Sequence, residues 1–381
     1  WDFVDSDTDP TEPTTDGGHG TSVAGIIAGK GWNNIGIRGI APDASLKGFN
    51  WLKDGYTSNF LNSFGGSSYS EDVDVFNYSA GCGSVNKYCD WSSYYLTTPL
   101  ETTLPSLRDG KGAVRVKASG NDFSSPATLD IRTDYFEIYG DTICGNESSF
   151  YRLSCVDGNA EEQNHFPINI IVGSLDASGV KASYSTPTAS MWVSGYGGES
   201  GQNTSIISGA SATRQEPAIM TTDKSSCSRG YVSDGSSSRR YNAFNDYTSP
   251  HAENADCNYA STFNGTSAAA PTVTGVIALM LEANPNLTWR DVKHIIASNA
   301  VQVDADDGSS VVGCITYYQW ETNGAGFKFH NYYGFGAVDA SASVTAAASY
   351  SADTWGAQST ETIASGTIDY AVNDLKIVTF S

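Results

Sequence analysis

The chain has 381 residues, of which 39% are hydrophobic and 12% aromatic, a composition that predicts a folded globular protein. Its formal net charge of −21 argues against nucleic-acid partners, because their phosphates would be repelled. The sequence contains no run of about 18 apolar residues, so no membrane-spanning segment is expected.

The order of the predicted elements favours an α/β fold. Residues 1–18 form an acidic, turn-rich loop, and a helix is predicted to begin at His19. Apolar, β-rich runs then alternate with helical or long loop segments, as a mostly parallel sheet with crossover helices requires. These runs cover residues 44–49, 73–78, 113–118, 168–175 and 191–193. Two further helices are predicted over residues 267–283 and 289–299, the second with Thr288 as its N-cap.

Two stretches lack clear periodicity, and the C-terminal stretch changes its pattern along its length. Residues 120–165 and 195–262 are rich in Gly, Ser, Asn and Asp and predict long surface excursions. Beyond residue 348 the chain becomes rich in Ser and Thr and then alternates between apolar and polar residues. That pattern predicts a linker that enters β structure.

The cysteines indicate the redox compartment. Six of the seven lie in loop-like sequence at short separations, which predicts local disulfides and therefore an oxidising compartment. The predicted pairs are Cys82–Cys89, Cys144–Cys155 and Cys227–Cys257. Cys314 is left over, either free or paired with sequence outside this chain. No Cys-x-x-Cys or Cys/His grouping suggests zinc.

Three short strings contain residues suited to acyl transfer. Ser267 lies in FNGTSAAAP at the start of a predicted helix, where backbone N–H groups can face a developing oxyanion. His19 lies in DGGHGTSVAG, and an imidazole is the usual general base for a serine hydroxyl. Asn121 ends the string VKASGN, where a side-chain amide can donate to an oxyanion. Each string alone also fits an ordinary helix cap or turn.

Taken together in the order histidine, asparagine, serine, these strings resemble the subtilisin-like (subtilase) serine peptidases. The resemblance implies a doubly wound, mostly parallel α/β fold with helices on both faces, over residues 1–345. It also implies that His19 is the general base and acid, Ser267 the nucleophile and Asn121 an oxyanion donor. The function that the resemblance implies is that of a secreted serine endopeptidase, which hydrolyses protein or peptide substrates through an acyl-enzyme.

Two longer strings resemble the kexin/furin-like branch of that family. The first is WDFVDSDTDPTEPTTDGGHGT before and around His19, and the second is NYYGFGAVDA over residues 331–340. In that branch a β-rich P domain follows the catalytic domain. Residues 346–381 are accordingly interpreted as a linker and the beginning of such a domain.

One family feature does not occur in these residues. The aspartate that orients the histidine normally lies on a strand some thirty or more residues upstream of it. Asp5 and Asp7 lie too close to His19 and in a turn-rich loop, so they are given another role. An N-terminal segment is therefore expected to supply the aspartate, and a propeptide or chaperone is a further possible partner.

Calcium is the expected cofactor, on two sets of residues. The resemblance implies a calcium loop after the His19 helix, with the Asn33 side chain and the carbonyl oxygens of Lys30, Ile35 and Ile37 as ligands. Separately, Asp5, Asp7 and Asp9 alternate along the N-terminal loop, and such carboxylates can share one cation. A solvated acidic turn is the alternative for these three.

Substrate preference is predicted from the family pattern. Ser79, Ala80 and Gly81 resemble the strand that forms one wall of the primary specificity pocket. Asp157, in the string CVDG, resembles the aspartate at the base of that pocket. A carboxylate there favours Arg or Lys before the scissile bond.

Two further positions bear on the neighbouring subsites. Asp16, three residues before His19, matches the acid that faces the next substrate side chain. Ser84 stands where another pocket acid is expected, which argues against strict dibasic specificity.

Two other functions stay open. One is a catalytically silent binding module, because the orienting aspartate is not found in these residues. The other is a different serine hydrolase such as an esterase, although the expected Gly-x-Ser-x-Gly elbow is absent around Ser267.

Overall fold

A computed structural model describes residues 1–11, 17–52, 57–81, 97–123, 158–202, 216–233, 242–307, 310–312 and 315–352. The helices are α1 (His19–Ala28), α2 (Thr57–Ser63), α3 (Thr97–Ser106), α4 (Thr266–Ala283), α5 (Trp289–Asn299) and α6 (Ala340–Ser349). The central strands are β1 (Val75–Tyr78), β2 (Val114–Ala118), β3 (Asn169–Leu175) and β4 (Met191–Tyr196). The peripheral strands are β5 (Ile219–Thr222), β6 (Tyr259–Phe263), β7 (Ser310–Val312), β8 (Ile315–Tyr317), β9 (Glu321–Thr322) and β10 (Lys328–Phe329).

The central sheet has the order β1-β2-β3-β4, and every pairing in it is parallel. Each residue of β2 and β3 is buried, as expected for strands that are covered on both faces. The other six strands form three separate antiparallel pairs, β5 with β6, β7 with β8 and β9 with β10. The predicted α/β class with a mostly parallel sheet is therefore confirmed.

Helix α4 is the centre of the main hydrophobic core. It packs on β1, β2, β3 and β4 and also on α1 and α6. Its residues Val273, Ile277 and Met280 are fully buried among Val116, Ile170 and other core side chains. Within the described residues, α4 alone has the length and hydropathy of a membrane span, and 67% of it is buried in the protein.

Most predicted elements are present, with small shifts in their ends. The N-cap prediction for α5 is confirmed, because Thr288 and Asp291 form a reciprocal capping box. The predicted strand over residues 44–49 is wrong. That segment has no neighbouring strand among the described residues, so its backbone has no ladder to join. The expectation of irregular surface chain over 195–262 missed β5 and β6.

Candidate active site

The ends of β1 and β2 meet the beginning of α4 at one edge of the sheet. Tyr78 pairs with Lys117 at the carboxyl ends of these two parallel strands, so the residues that follow them emerge side by side. Ser79 to Gly81 continue β1, and Ser119 to Asn121 continue β2. Crevices at the carboxyl ends of parallel strands are the usual ligand sites of open α/β sheets.

Ser267 is held at the start of α4 by two hydrogen bonds to Ser79. The Ser267 hydroxyl donates to the Ser79 carbonyl oxygen at 3.2 Å, and the Ser79 hydroxyl donates to the Ser267 carbonyl oxygen at 2.9 Å. Pro271 explains why that second acceptor is available. A proline at this position lacks the N–H that would otherwise bond to the carbonyl four residues earlier, which is the carbonyl of Ser267.

The side chain of Asn121 has a fixed orientation. Its Oδ1 accepts hydrogen bonds from the Thr266 backbone N–H at 2.8 Å and from the Thr266 hydroxyl at 2.9 Å. The Thr266 hydroxyl also accepts a bond from the Gly120 N–H at 3.2 Å. Because a backbone N–H can only donate, the atom of Asn121 that faces it must be the amide oxygen. The Nδ2 donor is therefore not used by Thr266, and a Cβ on Gly265, two residues before Ser267, would lie 3.2 Å from it.

His19 is the first residue of α1, and its ring lies edge-on to Phe263 with 5.5 Å between the ring centroids. Phe263 ends β6, four residues before Ser267, so His19 and Ser267 flank the same turn. The His19 ring is solvent-accessible, but desolvation by the protein atoms around it lowers its pKa below the ordinary value of 6.5, which favours the neutral ring that a general base requires. Among the described residues, neither Ser267 nor any carboxylate is hydrogen-bonded to the His19 ring.

The position of α1 is set by side-chain bonds to β5. The Ser22 hydroxyl donates to the Thr222 carbonyl at 2.9 Å, and the Thr222 hydroxyl donates to the Thr21 carbonyl at 2.7 Å. The Thr221 hydroxyl donates to the Ser22 carbonyl at 2.5 Å. Gly25 of α1 allows this close approach, since a Cβ there would lie 2.2 Å from the Thr222 hydroxyl oxygen.

The predicted pocket residues are only partly described. Ser79 is hydrogen-bonded to Ser267, and Ala80 and Gly81 follow it at the end of β1, whereas Asp16, Ser84 and Asp157 lie outside the described residues. The structure adds two charged residues that sequence reasoning missed. Glu161 Oε1 lies 2.9 Å from Lys117 Nζ, and a Cβ on Gly81 would lie 3.0 Å from Glu161 Oε2.

The Glu161–Lys117 pair is buried, and burial lowers the pKa of Lys117 to about 8 although the Glu161 carboxylate opposes that shift. A signal was present in the sequence of β2, VRVKA, where two cations interrupt a strand that is otherwise apolar. Buried cations need partners, so an acidic residue was to be expected nearby.

One of the three predicted disulfides falls within the described residues, and it is present. Cys227 and Cys257 are bonded, with their Cα atoms 4.9 Å apart. The other two pairs and Cys314 lie outside the described residues. The loop that this disulfide closes is anchored on the buried carboxylate of Asp223, which accepts the N–H groups of Tyr231 and Val232 at 3.0 and 2.8 Å. The Tyr231 ring packs on Phe263, with 5.8 Å between the ring centroids.

The expected calcium loop has suitable oxygen atoms. Trp32, Asn34 and Gly36 have positive φ angles, so the loop curls tightly. The Asn33 side-chain oxygen accepts the Ile35 N–H at 3.1 Å. The carbonyl oxygens expected as ligands, those of Lys30, Ile35 and Ile37, have no hydrogen-bond donor among the described residues. An all-oxygen set of this kind fits calcium.

The N-terminal aspartates do not fit a shared cation. Asp7 accepts the Asp9 N–H at 2.8 Å, and Asp9 accepts the Thr11 N–H at 3.1 Å, so each carboxylate closes its own turn. Asp5 is exposed. No group of three acidic, His or Cys side chains among the described residues is placed to hold a metal ion. The expectation that Asp5, Asp7 and Asp9 share one cation is therefore not met.

Comparison with known proteins agrees with this geometry. Residues 1–336 match the model of the subtilase family. An extracellular serine protease of Aeromonas sobria is 32% identical over 356 residues, which cover 90% of this chain and 52% of that protein. Kexin of Saccharomyces cerevisiae is 27% identical over 342 residues, which cover 89% of this chain and 31% of kexin.

Solved structures show the same similarity. The crystal structure of the Aeromonas sobria serine protease aligns with a TM-score of 0.73 and 30% identity, covering 92% of this chain and 56% of that one. The same protease in complex with a chaperone aligns with a TM-score of 0.74 and 31% identity, over the same shares of the two chains. The chain thus spans about half the length of the Aeromonas proteins that it matches.

Proposed function

This chain belongs to the subtilase family, and on that basis we propose that it is the catalytic part of a secreted serine endopeptidase with Ser267 as its nucleophile. The observation that carries the proposal is the arrangement around α4. The Ser267 hydroxyl, the Nδ2 donor of Asn121 and the ring of His19 all border the turn between β6 and that helix.

The residues support the steps of acyl transfer. His19 takes the proton from Ser267 Oγ as that oxygen bonds to the peptide carbonyl carbon. The carbonyl oxygen becomes an oxyanion, which receives the Asn121 Nδ2 donor and the Ser267 backbone N–H in the first turn of α4. His19 then gives its proton to the leaving amine, and water releases the acyl group by the reverse sequence. The first step requires the Ser267 hydroxyl to exchange its bond to Ser79 for one to His19.

We propose that a segment outside these 381 residues supplies the carboxylate that orients His19. Two observations motivate this: no described carboxylate bonds to the ring, and β1 is paired on one side only among the described residues. An unpaired strand edge can accept an extended segment through backbone hydrogen bonds. Without such a carboxylate the rate should fall by about four orders of magnitude.

A preference for Lys or Arg before the scissile bond is the finer part of the proposal. Three observations support it: the similarity to kexin, the family pattern that assigns Asp16 and Asp157 to substrate subsites, and the Glu161 carboxylate beside Gly81. Cleavage of a peptide library by the full-length protein tests it. Dominance of apolar residues before the bond would refute the preference and leave the peptidase proposal intact.

Calcium, secretion and a folding partner complete the proposal. The oxygen-rich loop at residues 30–37 is the candidate calcium site. The Cys227–Cys257 disulfide and the extracellular Aeromonas relative support secretion. The chaperone bound to the related Aeromonas protease supports a chaperone or propeptide for this protein.

Labelling with a fluorophosphonate tests the central assignment, because the reagent requires an activated serine. The full-length protein should be labelled and its Ser267→Ala variant should not. Ser298→Ala is the matched control, since the Ser298 hydroxyl also lies near a histidine, 3.4 Å from His294 Nε2. Absence of labelling in the folded wild-type protein would favour a silent binding module instead.

A further inference from the structure

The oxyanion loop, residues 120–123, is held by the segment 184–186 that follows β3. The Phe123 N–H donates to the Tyr184 carbonyl at 3.1 Å, and the Thr186 N–H donates to the Gly120 carbonyl at 3.1 Å. The Asp122 N–H donates to the Thr186 hydroxyl at 2.9 Å. These three bonds surround Asn121 in the chain, so this segment determines where the Asn121 backbone lies.

The side chain of Tyr184 contacts the turn that precedes Ser267. Its hydroxyl oxygen accepts the Gly265 N–H at 2.8 Å. The same hydroxyl donates its proton to the Gly198 carbonyl and lies 3.0 Å from the Ser174 hydroxyl. Burial raises the pKa of Tyr184 above its ordinary value, which favours the protonated phenol that donates to the Gly198 carbonyl.

The backbone conformation of Gly265 determines the geometry of the turn before Ser267. Its φ angle is 100°, a conformation that other residues rarely adopt. A Cβ at Gly265 would lie 3.2 Å from Asn121 Nδ2 and 3.5 Å from the Ser267 nitrogen. A small rotation of this turn therefore changes the separation between the oxyanion donor and the nucleophile.

We propose that Tyr184 is a positioning residue for peptide hydrolysis. Its backbone holds the oxyanion loop and its hydroxyl holds the turn before Ser267, so one residue sets the spacing between Asn121 Nδ2 and Ser267 Oγ. The inference rests on the proposed function, because it concerns the geometry of acyl transfer. Tyr184 touches no reacting atom and acts through Gly265 and Phe123.

The test is Tyr184→Phe in the full-length protein, which removes the hydroxyl and keeps the ring and the backbone bond. The expected result is a fall in kcat of about 10- to 100-fold with KM changed by less than about twofold, because misplacing reacting groups by about 1 Å is that costly. The rate of fluorophosphonate labelling should fall in parallel. Ser174→Ala is the matched control, since it removes a different contact of the same hydroxyl, and it should keep kcat near wild type.

A double-mutant cycle separates positioning from general loosening of the structure. If Tyr184 acts by aligning Ser267 with Asn121, Tyr184→Phe should have little further effect on kcat in the Asn121→Ala background. Effects on kcat that multiply independently would overturn the proposal. Should Tyr184→Phe fail to fold, Thr186→Val loosens the same loop through the Asp122 N–H, and it should lower kcat without raising KM.

The outcomes also separate this inference from the proposed function. If the folded wild-type protein is not labelled, the acyl-transfer assignment itself fails. If the wild-type protein is labelled, and Tyr184→Phe is labelled at the same rate with unchanged kcat, only the positioning role is refuted.

Discussion

Replacing Asn121 should separate catalysis from stability, because the two ends of its side chain do different things. Oδ1 accepts the hydrogen bonds of the Thr266 N–H and hydroxyl, whereas Nδ2 is the proposed oxyanion donor. In Asn121→Ala both ends are lost. Two donors of Thr266 lose their partner, and since Thr266 is fully buried each should cost about 1–3 kcal/mol of unfolding free energy. The lost oxyanion donor should lower kcat by about 10²–10³, a range known from subtilisin, a member of the same family.

Asn121→Asp is the informative partner of that variant. One carboxylate oxygen can still accept both Thr266 donors, so the unfolding free energy should stay within about 1 kcal/mol of wild type. The other oxygen replaces Nδ2 and carries negative charge toward the developing oxyanion. We therefore expect kcat to fall at least as far as in Asn121→Ala, although the protein is more stable than that variant.

The assay combines urea unfolding with steady-state hydrolysis of a peptide substrate by the full-length protein. Comparison of kcat with KM shows whether the loss occurs in the transition state. The reasoning is refuted if Asn121→Asp retains wild-type kcat. It is equally refuted if Asn121→Ala and Asn121→Asp lose the same stability, because Oδ1 would then have no structural role.

Three further outcomes follow from the described residues. Replacing both Cys227 and Cys257 by Ser should lower the unfolding free energy by about 4 kcal/mol, because the unfolded chain regains the entropy of a loop whose ends are 30 residues apart. An unchanged Tm in calorimetry would contradict this. Excess chelator should lower the Tm, and this decrease should be smaller in Asn33→Ala. An unchanged Tm on addition of chelator would argue against bound calcium. Burial lowers the pKa of Lys293 to about 7, so the unfolded chain binds the extra proton between that value and 10.5. Wild type should therefore gain stability relative to Lys293→Met as the pH rises from 7 to 10, by up to about 1.4 kcal/mol per pH unit, and parallel pH profiles in urea would show that the amine is not desolvated.

The sequence predicted the parts of the molecule that depend on local pattern. The apolar runs of β2 and β3 and the capping residue Thr288 of α5 are local signals, and the structure confirms them. The three strings around His19, Asn121 and Ser267 were specific enough to indicate the family. What they contain beyond the motif, such as the proline that frees the Ser267 carbonyl, became interpretable only with Ser79 in place.

Features that depend on distant pairing were not predictable in this way. The run at 44–49 has strand composition, but a strand exists only where a neighbour shares its hydrogen bonds. Glu161 and Lys117 lie 44 positions apart in the sequence. They meet because the turn that contains Glu161 packs against the carboxyl end of β2, where Lys117 lies. The role of Tyr184 was invisible for the same reason, since its partner Gly265 lies 81 residues away.

The disulfide-closed loop has a consequence for the timing of maturation. Tyr231 packs on Phe263, the ring that also contacts His19, and its backbone N–H donates to the Asp223 carboxylate. It lies in the loop that stays open until Cys227 and Cys257 are oxidised. The entropy of the open loop, about 4 kcal/mol, is comparable to the net worth of the few hydrogen bonds that anchor it. In a reducing cytoplasm, where the disulfide does not form, the loop that contains Tyr231 would be only loosely formed. Under the secretion proposed above, a newly made chain would complete the surroundings of His19 only after export, when the disulfide forms.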